Sequence, residues 1–590
     1  MISNFKQFTK KNFTISNTLI LSIILVGLIV TLNLMLRYDK QIFSCSFWLL
    51  CIDEDTFSVR NNLIFQLLTS ILVLVILLFS FFKLESQTKT NLEKNYSKAA
   101  FALIFLSIGN YIWSILSDSI NLYLLGSLSL TLLIVLLLWF VERKYAFSKH
   151  KRNSANPKTF IFLLISSGLM MFFGVLVSIT DSARVCTQFP ICFPTDGISS
   201  EVLLVNLHRF FTLTTAIFIT KALQTSWRMY RKNINLLVSI TIGFTIFIGQ
   251  SFIGGIQVFR NLPLDLLFIH SGSSVIYILS VLYAFTFVTH VEKSNVSEMA
   301  TILNDSQRRK DFLILNKPII VALLLVTTYA GMVVGGGKIP EFSLTIWTMV
   351  GGALAAGGAS AINQYIDKEI DLSMQRTAKR PLPSGRLEPA EALALGVSEV
   401  FLSFYILVSF VNLNAALLSM FGMVYYVFIY SKWLKKITVQ NIVIGGGAGA
   451  IPPLVGWAAA TGGLNIPSIF LFALVFLWTP PHFWALALVR KNDYARASIP
   501  MLPVVKGEKK TRLHILIYTI QLVLLTLVMP LFGIGGSFYW VLAIILGLWL
   551  LSIAWQVYKL EGNKIAFKMY RYSSMYLAFI FLALIIDVLI

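Results

Sequence analysis

Charged residues are scarce in this chain of 590 residues. Only 13% of them are Asp, Glu, Lys or Arg, whereas 57% are hydrophobic. This shortage excludes an ordinary soluble globular protein, in which roughly a quarter of the residues are charged. Apolar runs of roughly 20 residues, long enough to cross a bilayer as a helix, occur about 17 times. We therefore predict an all-α, polytopic membrane protein with about 17 transmembrane helices.

Acidic residues are scarcer still, with 27 Asp and Glu against 48 Lys and Arg and a net charge of +21. Such an excess could suggest nucleic-acid binding, but the basic residues fall in short segments between apolar runs. Membrane topology explains them better, because cytoplasmic loops are enriched in Lys and Arg. We expect the lipid bilayer as partner, no nucleic acid, and a multi-pass protein of the bacterial inner membrane with its N-terminus in the cytoplasm.

One polar segment without a long apolar run, residues 291–317, marks the best domain boundary. Eight predicted spans precede this segment and nine follow it. We predict a membrane domain at 1–290, a cytoplasmic linker at 291–317 and a second membrane domain at 318–590. Similar motifs recur in the first domain at an offset of roughly 140 residues. We therefore predict that its two halves, about 1–150 and 151–290, are four-helix repeats.

Cysteine is rare, and its four copies form two C-x5-C pairs, Cys45 with Cys51 and Cys186 with Cys192. Each pair lies in a predicted outward-facing loop. On the oxidising face of a bacterial inner membrane both pairs are disulfide candidates, the alternative being ordinary loop cysteines.

Histidine is also rare, with six copies, and His208 and His270 lie in two different predicted spans. A histidine inside a membrane is costly unless it faces a partner, and two imidazoles on separate helices can ligate one heme iron. The alternative is that each is a hydrogen-bonded interior residue. The matching positions of the first repeat carry no histidine, so that half cannot bind heme in this way.

The densest cluster of charge is the segment NQYIDKEIDLSMQRTAKRPLPSGR, residues 363–386. Asn363, Asp367, Asp371 and Gln375 recur at every fourth position and would share one face of a helix. Neighbouring carboxylates repel unless a cation lies between them, and Mg²⁺ typically bridges carboxylates to a substrate phosphate. Downstream cations suit phosphate oxygens: they are Arg376, Lys379, Arg380 and Arg386. The alternative is a cytoplasmic loop whose charges only set topology.

Two later segments add charge at the same predicted membrane edge. The first, SKWLKKITVQN, brings Lys432, Lys435 and Lys436 within reach of an anionic substrate, unless these lysines only set topology. The second, PPHFWALALVRKNDYARASIPMLPVV, carries Asp493 and Tyr494 after a predicted span. A second acidic site facing the first would complete a clamp for metal and diphosphate. His482 in the same segment could orient or ligate a heme substrate, or be structural.

Together the three segments closely resemble protoheme IX farnesyltransferases, the heme O synthase branch of the UbiA-type prenyltransferases. The resemblance implies farnesyl transfer from farnesyl diphosphate to the vinyl group of heme b, with Mg²⁺ held by Asn363, Asp367, Asp371 and Asp493. It also implies that Arg376, Arg380 and Lys436 neutralise the diphosphate. Ser498 stands where the family usually has glycine. A quinone-type prenyltransferase is the alternative enzyme.

The first domain resembles heme A synthase, through SARVCTQFPIC followed by a span with His208, a Gly-Gln span and a span with His270. The resemblance implies a bound heme b. Val205 stands where that family has the glutamate of its reacting half, so we expect a degenerate domain that binds or hands on heme. The alternative is a bifunctional chain that also oxidises heme O to heme A. Heme A synthase or cytochrome oxidase assembly proteins would be its partners.

Overall fold

The computed structural model describes residues 158–180, 182–186, 188–193, 199–288 and 306–590. These residues form helices and connecting loops without any β-strand, which confirms the all-α prediction. Thirteen of the described helices are long and apolar enough to cross a membrane, four within residues 158–288 and nine from residue 318 onward. The predicted total of about 17 also counts residues 1–157, which lie outside the described residues together with Cys45 and Cys51.

The chain divides into two compact units. The first consists of Met1–Tyr230 and Ile246–Lys293, and the second consists of Arg231–Thr245 and Ser294–Ile590. The first four described helices are α1 (Lys158–Ile179), α2 (Ser200–Met229), α3 (Ile234–Phe259) and α4 (Leu264–Val288).

Between α1 and α2, a disulfide joins Cys186 to Cys192, whose Cα atoms are 5.8 Å apart. Asn206 on α2 accepts a hydrogen bond from the Cys192 backbone N–H at 3.0 Å and donates one to its carbonyl at 2.9 Å. Arg209, one turn further along, donates to the Gln188 carbonyl at 2.7 Å. The cysteine loop is therefore held against the helix that carries His208.

From residue 306 onward, the second unit contains a short helix, α5, and eleven further α-helices. Their bounds are α5 (Ser306–Leu315), α6 (Pro318–Gly336), α7 (Phe342–Ser373), α8 (Pro389–Phe410), α9 (Leu413–Val424), α10 (Asn441–Thr461), α11 (Ile466–Val489), α12 (Lys491–Arg496), α13 (Leu502–Val505), α14 (Glu508–Val528), α15 (Ser537–Lys559) and α16 (Asn563–Leu589). Glycines allow close helix packing. A Cβ on Gly456 of α10, for example, would lie 1.8 Å from the Thr328 carbonyl oxygen of α6.

Helix α5 lies in the stretch that we predicted as linker, and it packs within the second unit. Leu315 is fully buried, and its carbonyl accepts a hydrogen bond from Gln364 of α7 at 2.7 Å. Asp311 forms an ion pair with Arg386 at 2.9 Å. These contacts fix the chain just before α6, where Lys317 adopts a left-handed backbone with φ of 48°.

Helix α9 continues as a π-helix, Tyr425–Leu434, and ends in one α-helical turn, Lys435–Ile437. π-Helices are rare and often mark functional sites. The Ser431 hydroxyl donates to the Tyr426 carbonyl five residues earlier at 2.8 Å. Gly445 of α10 leaves room for this segment, since a Cβ there would lie 2.3 Å from the Tyr430 ring. The wider winding turns Ser431 and Lys435 toward α7.

Candidate active site

The polar stripe of α7 is buried in the second unit. Asn363, Asp367 and Asp371 are only 4%, 2% and 3% exposed. Asn363 Nδ2 donates to Asp367 Oδ2 at 2.8 Å and to the Ser431 hydroxyl at 3.0 Å. Their four-residue spacing thus places the amide and the first carboxylate in direct contact. Helix α7 ends at Ser373, so Gln375 lies beyond it.

Basic side chains contact every member of this stripe. Lys435 forms an ion pair with Asp367 at 2.5 Å, and Arg380 forms one with Asp371 at 2.7 Å. Buried carboxylates without such partners would be strongly destabilising. The Arg380 pair joins two residues of one predicted segment, whereas Lys435 comes from the end of the π-helix.

Lys317 is a third cation at this site, and the sequence analysis did not single it out. Its Nζ donates to Asn363 Oδ1 at 3.1 Å. Burial, reinforced by the charges of Arg380 and Lys435, lowers the pKa of Lys317 to about 7. Its signal in the sequence is a lysine directly before Pro318 at the start of a span, at the end of the predicted linker.

The residues proposed to hold Mg²⁺ offer one atom suited to a metal. Asp367 Oδ1 is buried and has no hydrogen-bond partner among the described residues. An unpaired buried carboxylate oxygen is costly, and it is the ligand type that Mg²⁺ prefers. No cluster of three or more His, Cys, Asp or Glu side chains suited to a metal occurs in the described part of the chain. Asp493 instead pairs with Arg496.

The segment around Asp493 packs near the end of α7. Met374 and Ile442 form one apolar cluster with Ile499 and Met501, against which Tyr494 packs. Burial raises the pKa of the Tyr494 phenol, while the nearby cations Arg376 and Lys435 oppose that shift. The second acidic segment is therefore adjacent to the first, although Asp493 does not share a carboxylate cluster with it. Arg376 itself is exposed.

His482 lies among aromatic side chains of α11 and α16. Its ring stacks on Trp478 at 4.3 Å and packs against Tyr570 at 4.5 Å. Its Nδ1 is 2.9 Å from the Ser573 hydroxyl. Because Nδ1 already has this partner, binding of a heme iron would have to use Nε2.

A matched pair of lysines allows a direct test of this geometry. Lys435 contacts Asp367, whereas Lys436, the lysine singled out in the sequence, is exposed. We expect Lys435→Gln to raise the KM for the predicted substrate, farnesyl diphosphate, about tenfold, because it removes a charge at the site. The Lys436→Gln variant should stay within about twofold of the unsubstituted protein. Steady-state kinetics on both purified variants measures this, and the reverse order of effects would contradict the structure.

In the first unit, His208 and His270 come from α2 and α4. His208 Nδ1 is 2.9 Å from the Met170 carbonyl oxygen, and His270 Nδ1 is 3.2 Å from that of Gln250. Each Nδ1 therefore donates to a carbonyl, which leaves Nε2 as the atom free to bind a metal.

Several known proteins are similar to this chain. The model of the UbiA prenyltransferase family matches residues 324–582. The protoheme IX farnesyltransferase of Roseiflexus sp. (strain RS-1) is 38% identical over 439 residues, which cover 71% of this chain and 81% of the relative. That of Symbiobacterium thermophilum is 47% identical over 288 residues, or 48% of this chain and 96% of the relative. A solved digeranylgeranylglyceryl phosphate synthase structure has a TM-score of 0.42 at 19% identity, covering 48% of this chain and 99% of its own.

The second unit is therefore a domain of the UbiA prenyltransferase class, and the matched residues include the acid stripe of α7. Within that class, the chain belongs to the protoheme IX farnesyltransferase family. Because few residues follow position 582, the Roseiflexus match must also include residues upstream of position 324. Part of the upstream region is therefore shared with that relative.

Proposed function

We propose that the chain transfers the farnesyl group of farnesyl diphosphate to a vinyl group of protoheme IX, or heme b, to make heme O. The observation that carries this proposal is Asp367, a buried carboxylate with one unpartnered oxygen that lies among Asn363, Lys317 and Lys435. An anionic diphosphate with a bound cation matches such a mixture of acid and base.

Asn363, Asp367, Asp371 and Asp493 would hold Mg²⁺, which would neutralise charge on the diphosphate as it leaves. Lys435 and Arg380 form ion pairs with the two carboxylates of α7. We infer that these cations, with Lys317 and the exposed Arg376, turn to the phosphate oxygens when substrate binds. Lys436 would contribute only to the surrounding positive charge.

Breaking the allylic C–O bond leaves the electron pair on the diphosphate and a positive charge on the farnesyl carbon. Tyr426 and Tyr430, whose ring centroids are 5.8 Å apart, lie on the π-helix that also carries Ser431. Their π faces would stabilise this cation, and the apolar helices would limit capture by water. The heme vinyl group then forms the new C–C bond. One water adds to the resulting cation and releases a proton, which gives the hydroxyethylfarnesyl side chain.

This proposal is tested by expressing the whole chain in a host that lacks both heme O and heme A synthesis, and extracting the pigments. We expect heme O to accumulate. A farnesylated quinone in its place would favour the alternative prenyltransferase, and heme A would favour the bifunctional chain. Unchanged protoheme in a host that contains the folded protein would refute the proposed reaction.

We further propose the division into domains at 1–290 and 318–590 joined by the segment 291–317, with the active site on the cytoplasmic side of a bacterial inner membrane. Lys435 and the segment of residues 363–386 lie at helix ends and in the connections that follow them, on the side that the distribution of Lys and Arg indicates as cytoplasmic. The diphosphate end of farnesyl diphosphate is charged and polar, so a site at the cytoplasmic edge of the membrane can receive it from the cytoplasm.

A second function, heme binding by the first domain, is favoured by the two imidazoles with free Nε2 atoms. Small residues face both rings, since a Cβ on Gly174 would lie 2.9 Å from His208 Cε1 and one on Gly254 would lie 3.2 Å from His270 Cε1. We propose that His208 and His270 ligate one heme b. Because Val205 provides no carboxylate near His208, we favour heme binding or delivery over oxidation, with heme A synthase or oxidase assembly proteins as recipients.

A further inference from the structure

Asn441, the first residue of α10, is buried without adequate hydrogen bonding. It is 1% exposed, and its Oδ1 has no hydrogen-bond partner among the described residues. Its Nδ2 reaches only the Lys435 carbonyl oxygen, at 3.5 Å. A buried amide in this condition is costly, and nearly all such groups in folded proteins are paired. Asn441 is therefore suited to a partner that arrives with a ligand.

The neighbours of Asn441 belong to the active site. The backbone carbonyl of Lys435 accepts the hydrogen bond from Asn441 Nδ2, and the side-chain amine of Lys435 forms the ion pair with Asp367. The next residue, Ile442, packs with Met374 at the end of α7, in the cluster that Tyr494 joins. Asn441 thus lies where the basic turn after the π-helix meets both acidic segments.

The unpaired atom also restricts what the partner can be. Oδ1 is an acceptor, and phosphate oxygens are acceptors too, so the diphosphate itself cannot satisfy it. A cation or a hydrogen-bond donor can. Mg²⁺ keeps several of its waters when it binds phosphates, and these waters are donors.

We propose that Asn441 binds the hydrated Mg²⁺ of the prenyl diphosphate complex, with Oδ1 accepting a hydrogen bond from a metal-bound water. This inference rests on the proposed function, and it assigns Asn441 as a substrate-positioning residue between the two acidic segments. Asp367 Oδ1, also buried and unpaired, would face the same hydrated cation.

The test measures binding of inorganic diphosphate to the purified full chain by calorimetry, with Mg²⁺ and then with a chelator. We expect Asn441→Leu, which keeps the volume and removes the acceptor, to weaken the Mg²⁺-dependent binding about tenfold. Binding without Mg²⁺ should be the same as in the unsubstituted protein. Asn441→Asp, which restores an oxygen, should recover most of the loss and require less Mg²⁺.

Asn414→Ala is the matched control, because Asn414 donates to the Gly462 carbonyl oxygen at the far end of α10. It should leave Mg²⁺-dependent binding unchanged.

Full diphosphate affinity of the Asn441→Leu variant would overturn the proposal. If that variant does not fold, an unaltered Mg²⁺ requirement of the Asn441→Asp variant would overturn it instead. Heme O formation by the unsubstituted protein is measured separately. If that protein makes heme O yet binds diphosphate independently of Mg²⁺, the role of Asn441 fails and the proposed function stands.

Discussion

Replacing Asp367 by Asn is expected to lower heme O formation about a thousandfold while the protein remains folded. The substitution keeps the shape of the side chain and removes the charge that would balance a metal bound to diphosphate. Stabilising developing charge in a water-poor site contributes several kcal/mol, and about 4 kcal/mol corresponds to three orders of magnitude. Heme O extracted per milligram of monodisperse protein measures the effect. Asp371→Asn should act in the same direction.

A buried aspartate outside the site provides the control for this prediction. Asp311 is 2% exposed, as is Asp367, and forms an ion pair with Arg386. Asp311→Asn should cost comparable stability, because it too leaves a cation without its partner, and should retain near-normal activity per folded molecule. If Asp367→Asn kept more than about a tenth of the activity, or if both variants lost it equally, a specific role for Asp367 would be refuted.

The acid stripe was predictable from sequence because it depends only on helix geometry. A four-residue spacing keeps side chains on one face, and Asn363 accordingly donates to Asp367. The disulfide depends on similarly local information. Two cysteines six residues apart can approach closely when the loop between them folds back, as Cys186 and Cys192 do.

The basic partner of Asp367 was not predictable in the same way. The sequence offers three lysines in this segment and the prediction selects Lys436 for the diphosphate, yet the structure brings Lys435 to the carboxylate. A π-helix has more residues per turn than an α-helix, so Tyr425–Leu434 changes the direction of every side chain that follows it. A projection with 3.6 residues per turn cannot include that change. Ser431 reaches Asn363 for the same reason.

Lys317 and Asn441 illustrate a second limit of sequence reasoning, since their roles depend on tertiary packing. Lys317 reaches Asn363 because α5 packs against α7 and because its own backbone is left-handed. Asn441 stands out only through a hydrogen bond that is missing. The lysine before Pro318 indicates the start of a span but not a contact with Asn363, and Asn441 has no local pattern that could indicate its role.

Loss of bound heme is the expected result of replacing either His208 or His270 by Ala. The unsubstituted protein should show the low-spin absorption spectrum of a b-type heme with two histidine ligands. Both Nδ1 atoms face backbone carbonyl oxygens, at 2.9 Å and 3.2 Å, so both Nε2 atoms are free for iron. With one ligand removed, iron would keep a single imidazole, and we expect heme content to fall about tenfold or more.

His514→Ala is the control for these two variants, because His514 belongs to α14 of the second unit and packs against Trp484. It should leave the spectrum of the purified protein unchanged. An unchanged spectrum in both His208→Ala and His270→Ala would show that the heme, if present, is held elsewhere. Because this assay reads absorption of the resting protein, its outcome is independent of farnesyl transfer. A chain that makes heme O but fails this test would keep its proposed enzyme activity and lose only the heme-binding role of the first domain.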